Sequence, residues 1–178
     1  PTDASAIALL VYEAIGDIMH RLTGKQDEAT SLATLAKLIE KTDNRHSYKN
    51  TFVATENDEI VGIVVIYSGK DGAKLDRALE KWLASRGAHA TIDMEAYDDE
   101  YYIDTISVAE SARGKGIGTK LYAFPETLAR DKGYNKLSLN VETKKHDARR
   151  LYERLGFVET EIIPIIDEPF YHMVKQLD

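Results

Sequence analysis

Three glycines at alternate positions, Gly114, Gly116 and Gly118, separate an apolar run ending at Val108 from an amphipathic run that begins beside them. Tyr101 to Val108 alternates as a strand does, and Gly118 to Lys132 has helical spacing. A strand that turns through glycines into a helix is a narrow choice of architecture. Glycine reaches backbone angles closed to other residues and removes the Cβ that would keep a ligand away. The first N–H groups of the helix have no partner inside it, and the dipole there favours negative charge. With Arg113, Lys115 and Lys120 alongside, such a turn suits a phosphate or pyrophosphate. It is neither G-x-G-x-x-G nor a loop ending in Gly-Lys-Ser/Thr.

A second block follows. Lys136 to Glu142 sets Leu137, Leu139 and Val141 against polar neighbours, the pattern of a half-buried strand. Asp147 to Phe157 puts Ala148, Leu151, Tyr152 and Leu155 on one helical face, and Gly156 ends that helix.

Arg113-x-x-Gly116-x-Gly118 and Ala148-x-x-Leu151-Tyr152-x-x-x-Gly156-Phe157 together resemble two motifs of the GNAT superfamily of N-acetyltransferases. The resemblance covers about residues 50 to 178 and is clearest from Tyr101 to Val158. It implies an α/β (α+β) fold, a mixed, mostly antiparallel sheet with helices on both faces. The sheet would splay between the strands at 101–108 and 136–142, where acetyl-coenzyme A would enter. The implied activity is transfer of an acetyl group to a primary amine of a small molecule or peptide. Pyrophosphate would lie on Arg113, Gly114, Lys115, Gly116, Ile117, Gly118 and Thr119. The pantetheine arm would pair with Ile106, Ser107 and Val108. Tyr152 would be the general acid that reprotonates the coenzyme A thiolate, and a tyrosine keeps its proton at neutral pH. One position departs from the pattern. Many members carry Asn three residues before the helix alanine, and here that residue is Lys145, which can reach a phosphate instead. The alternative reading is a non-catalytic coenzyme A-binding sensor or partner module, which would bind without turnover.

An amine must shed its proton before it attacks. By the two-residue period, Tyr102, Asp104, Ile106 and Val108 share one strand face. Asp104 is the one carboxylate on that stretch, which makes it the candidate base; a buried structural acid is its other reading. Glu142 and His172 are weaker candidates. The five histidines show no metal-ligand spacing, so no metal is expected.

The remaining segments read as a frame. Residues 4–22 carry a helical stripe from Ile7 to Leu22, and a second helix spans about Asp27 to Lys41. Ser47 to Glu56 and Glu59 to Tyr67 form a hairpin around Asn57-Asp58. Asp71 to Arg86 reads as a helix and Gly87 to Glu100 as an acid-rich loop. Together they are taken as an insertion at about 71–100 within a single N-acetyltransferase domain, 1–178. Its acids Asp93, Glu95 and Asp98 to Glu100 are expected to draw an ammonium group, although the 98–100 run also reads as a solvated loop. Val158 to Ile163 and Tyr171 to Lys175 close the chain as strands around Pro164 to Pro169.

The charge balance sets limits. Twenty-three basic residues against 30 acidic ones give a net charge of −7, which disfavours nucleic acid as a partner. No cysteine is present, so a cysteine acyl-enzyme is excluded and direct attack is expected. No apolar run reaches membrane-spanning length, and the first residues show no basic leader. No membrane partner and a cytoplasmic location are therefore expected. Whether the chain pairs as a homodimer stays open.

Overall fold

The computed structural model describes residues 2–178. Six helices and six strands follow in order α1 (Ala4–Ile15), α2 (Ile18–Thr23), α3 (Glu28–Glu40), β1 (Thr51–Glu56), β2 (Glu59–Ser68), α4 (Gly69–Ala84), β3 (Tyr101–Val108), α5 (Ile117–Asp131), β4 (Lys136–Glu142), α6 (His146–Arg154), β5 (Val158–Ile165) and β6 (Glu168–Gln176). The strands form one sheet in the order β1-β2-β3-β4-β6-β5. Every pairing is antiparallel except β3 with β4.

That parallel pair is short. It joins Tyr101 to Leu137, Tyr102 to Ser138 and Ile103 to Leu139, and no further. Beyond it β3 runs on to Val108 and β4 to Glu142 without pairing with each other, although each stays paired on its other edge, so the sheet is split from Asp104 and Asn140 onward. A gap between parted strands leaves backbone groups free to pair with something else.

The two faces bury separate cores. Ile63, Val65, Tyr67 and Tyr102 pack against α1 and α3 through Ile7, Val11, Leu35 and Ile39. Val64, Ile66, Ile103, Leu137, Leu139 and Met173 pack on the other face against Leu121 and Ala129 of α5, with Ala148 and Tyr152 of α6 beside them. Leu79 and Leu83 of α4 join Leu22 and Leu38 in a third cluster flanked by Trp82. Burying a leucine or isoleucine side chain is worth about 1.5–3 kcal/mol, so each face holds its own helices.

Four local features depart from the sequence expectations. The stripe over 4–22 is two helices, because Gly16 turns to φ +56° between them. The last hairpin runs through its prolines: Pro164 faces Pro169, and the turn is Ile166-Asp167 with φ of 52° and 60°. β5 is an edge strand, where proline is tolerated. Glu100 is buried rather than solvated. Most consequentially, Val65 pairs with Thr105 and the next residue, Ile66, pairs with Ile103. Asp104 is thus the extra residue of a β-bulge, which switches the side-chain alternation. Tyr102 packs on the α1/α3 face, while Ile106 and Val108 pack on the α5/α6 face. The four residues do not share one face as strict alternation required.

Candidate active site

The glycine turn takes the form its composition demands. Gly114 and Gly116 adopt φ of +78° and +81°, where side chains are strained, and a Cβ built on either meets nothing within 4 Å. Gly118 has an ordinary conformation inside the first turn of α5. Among the described residues, the N–H groups of 114–119 have no backbone or side-chain acceptor outside the helix; the first bond across this turn runs from Lys120 N–H to Gly116 C=O, at 3.3 Å. A row of free amides at a helix start, beneath open space, is a cradle for an anion. Arg113 donates from Nε to the Val108 carbonyl at 3.1 Å, which ties the turn to the strand. Lys115 pairs with Glu56 at 3.0 Å at the surface.

The split ends in a cavity of about 200 Å3. Asp104, Ile106, Lys145 and Tyr152 line it, whereas Ser107, Val108 and the glycine turn lie outside its lining. Ser107 is buried opposite Ile63, and Val108 packs beside α5. Lys145 stands half-exposed at the start of α6 with its ammonium 3.6 Å from Glu142. Tyr152 is half-buried on α6, with its ring edge-on to Tyr122 and Phe157. Burial pushes its hydroxyl above the ordinary tyrosine value, and Tyr122 adds to the effect. The phenol therefore carries its proton at neutral pH.

The opposite wall is a buried polar cluster around Arg45. This side chain is 4% exposed and sits among three carboxylates. Its Nε lies 2.9 Å from Asp104 and 3.6 Å from Asp76, and its Nη2 pairs with Glu95. The Tyr67 hydroxyl donates to Asp104 at 2.7 Å, and Thr105 donates to the other carboxylate oxygen at 2.9 Å. Burial alone would raise Asp104, but the Arg45 guanidinium, with His46 and the Tyr67 and Thr105 hydroxyls, holds it below the usual aspartate value. A carboxylate held so is a weak proton acceptor. Asp76 lies the other way: burial pushes it up to about 6 in spite of Arg45. His46, buried alongside, is pushed down to about 4 by burial.

The acid-rich segment between α4 and β3 forms the roof. Ile92, Asp93 and Glu95 line the cavity. The segment has no helix or strand from 88 to 97 and is held by side chains instead. Asp93 accepts the Ile166 N–H at 2.7 Å, Glu80 accepts the Ile92 N–H at 2.8 Å, and the Tyr97 hydroxyl bonds Glu161. Asp98 and Asp99 do not line the cavity; Asp99 pairs with Lys136 at 2.5 Å. Glu142 lines it from β4. His172 does not: its ring is 1% exposed and engaged with Asn140 and Glu100.

Arg45, Tyr67, Asp76 and Asn140 had no signal in the sequence. Arg45 lies in an irregular stretch, and its Asp104 partner is 59 residues away. Among the described residues no group of three or more His, Asp or Glu side chains is arranged to hold a metal ion. No helix among them is long and apolar enough to cross a membrane.

Comparison with known proteins matches this architecture. The sequence model of the acetyltransferase (GNAT) family fits residues 15–157. A crystal structure of an acetyltransferase superposes with a TM-score of 0.81 at 31% identity, over 99% of this chain and 96% of that one. An N-acetyltransferase from Staphylococcus aureus Mu50 gives 0.82 at 29% identity, over 98% and 96%. Among curated proteins, an uncharacterised N-acetyltransferase of Bacillus subtilis, YycN, is 34% identical over 82 residues, 46% of this chain and 48% of that protein. The match spans about half the length of that relative. The split sheet, the glycine turn and the helix bearing Tyr152 thus fall within a shared family architecture, and the chain belongs to the GNAT family of acetyltransferases.

Proposed function

We propose that this chain transfers an acetyl group from acetyl-coenzyme A to a primary amine of a small molecule or peptide, by direct attack. One observation carries the reading. A single cavity at the mouth of the split is bordered by Tyr152 and Ile106 on one side and by the Arg45–Glu95–Asp104 cluster on the other. The residues present fit the cosubstrate: free amides at 114–119 with open space above them suit its pyrophosphate. Arg113 and Lys115 supply cations there, and Lys145 supplies one at the cavity rim. The edge of β3 at Ile106 and Val108 that faces β4 without pairing to it suits an amide-bearing arm.

Acetyl-coenzyme A supplies an activated thioester. The protein then has two tasks with protons. Tyr152 keeps its hydroxyl protonated and gives the proton to the departing sulfur. On the other side, the incoming ammonium meets a wall of carboxylates that draws it in and receives its proton. Asp104, pinned by Arg45, Tyr67 and Thr105, stays ionised and contributes charge and position rather than taking that proton. Glu95, paired with the same Arg45, contributes charge in the same way, and Asp93 and Glu142 are the lining carboxylates left outside the Arg45 cluster to accept it, directly or through water. The segment over 71–100 serves as acceptor wall within one catalytic domain.

Tyr152→Phe tests the assignment, because it keeps the ring and removes the proton. General acid catalysis is worth about 100- to 10,000-fold. We expect kcat on a working amine to fall at least about 100-fold, with the acetyl-coenzyme A dissociation constant little changed. A kcat within about threefold of wild type, against that expectation, would remove Tyr152 from the mechanism.

A further inference from the structure

The acceptor wall is anchored by a chain of contacts that runs from Asn140 and Tyr102, in the cavity lining, to His172 and Glu100 behind it. Asn140, on β4, uses its Nδ2 to donate to the Glu95 carbonyl at 2.9 Å and to the Tyr102 hydroxyl at 3.2 Å. With both its hydrogens so committed, its Oδ1 can only accept. That oxygen stands 2.6 Å from Nδ1 of His172, which must therefore carry a hydrogen. Tyr102 in turn donates to the Glu95 carboxylate at 3.3 Å. The far nitrogen of His172, Nε2, lies 2.9 and 3.0 Å from the two oxygens of Glu100. Glu100 also accepts the Tyr97 N–H at 2.8 Å, and its carbonyl accepts the Gly69 N–H at 2.8 Å. The Tyr97 ring packs edge-on against the imidazole. His172 and Glu100 are 1% and 4% exposed.

A carboxamide does not pass protons along a chain, so this is no proton wire from the cavity. It is an orienting chain, and its direction is fixed. Were Asn140 to turn by half a rotation, its oxygen would face the Glu95 carbonyl, and the Tyr102 hydrogen would swing away from the Glu95 carboxylate. After that rotation the Asn140 amide hydrogens would meet the Nδ1 hydrogen of His172, whose ring the Glu100 carboxylate holds in place by accepting a second hydrogen from Nε2, and this opposes the turn. We propose that His172 is a positioning residue for the acceptor amine, acting through Asn140 on Glu95 and Tyr102. This rests on the acetyl-transfer reading above, which treats Glu95 as part of the acceptor wall. His172 then serves the reaction without touching either substrate.

Four proteins test this: wild type, His172→Phe, Asn140→Ala and the double variant. Each is followed by steady-state kinetics on a working amine and by hydrogen exchange of the 92–97 amides. We expect His172→Phe to raise the amine KM about tenfold, a size typical of coupled neighbours. The acetyl-coenzyme A KM should stay within about twofold, since the glycine turn lies outside the chain of contacts. Exchange at 92–97 should quicken while exchange at 114–119 does not. The double variant should lose no more than the worse single one, because both act along one path. Additive losses, an unchanged amine KM, or equal losses on both substrates would overturn the proposal. If His172→Phe does not fold, Glu100→Gln takes its place with the same expected directions. If wild type transfers no acetyl group, the functional reading fails, and the exchange pattern still decides whether His172 orients the wall.

Discussion

The two sides of the split are built from different materials. The cosubstrate side is backbone: free amides at 114–119, two glycines at positive φ and the unpaired edges of β3 and β4. The acceptor side is side chain: one buried arginine, three carboxylates, two tyrosines and an asparagine drawn from six segments. A backbone cradle depends on local conformation, which a few residues can set. A side-chain wall depends on long-range placement, and each member is stable only while its partners are present. The first should tolerate loss of side chains and fail when the backbone is strained. The second should respond in the opposite way.

The widest contrast lies between two arginines. Arg45→Met removes the one cation among Asp76, Glu95 and Asp104, and breaking a buried pair costs about 3–5 kcal/mol. Arg113→Ala, at an exposed position, should change stability by no more than about 0.5 kcal/mol. Denaturant unfolding of both variants checks this. Equal, small losses would mean that the Arg45 cluster does not hold the acceptor side together.

A smaller effect concerns Asp76, and its sign is opposite to that of most carboxylates. Its folded value, about 6, lies above the ordinary 3.8. Its protonated form is therefore favoured in the folded state, and the stability it lends below pH 4 is lost as pH rises toward 6. Asp76→Asn mimics the protonated form. It should stabilise the protein by about 2–3 kcal/mol more at pH 8 than at pH 4. A gain independent of pH would show that Asp76 ionises without penalty.

The same contrast explains what the sequence disclosed. Arg113, Gly116, Gly118 and Tyr152 stand at fixed spacings within continuous segments, so local pattern finds them. The parting of β3 and β4 follows from the same segments. Arg45 reads as an unremarkable loop residue, because its burial depends on Asp104 and Glu95, far along the chain. The bulge at Asp104 is invisible too: alternation continues through Tyr102, Asp104 and Ile106 in sequence, and only the pairing with β2 shows the slip. For the same reason Glu100 looked solvated within an acidic run, although His172 and the Tyr97 N–H bury it.

Binding of acetyl-coenzyme A to two variants tests the division of the site most directly. Gly116→Val forces a branched side chain into φ +81°, at a strain of about 1–3 kcal/mol, and disturbs the amides of the cradle. Glu95→Gln alters the acceptor wall and leaves the glycine turn untouched. Calorimetric titration should show affinity for acetyl-coenzyme A lost or reduced at least about tenfold in Gly116→Val, in line with that strain. In Glu95→Gln it should stay within about twofold of wild type. Full affinity in a folded Gly116→Val protein, or a comparable loss in Glu95→Gln, would contradict the account.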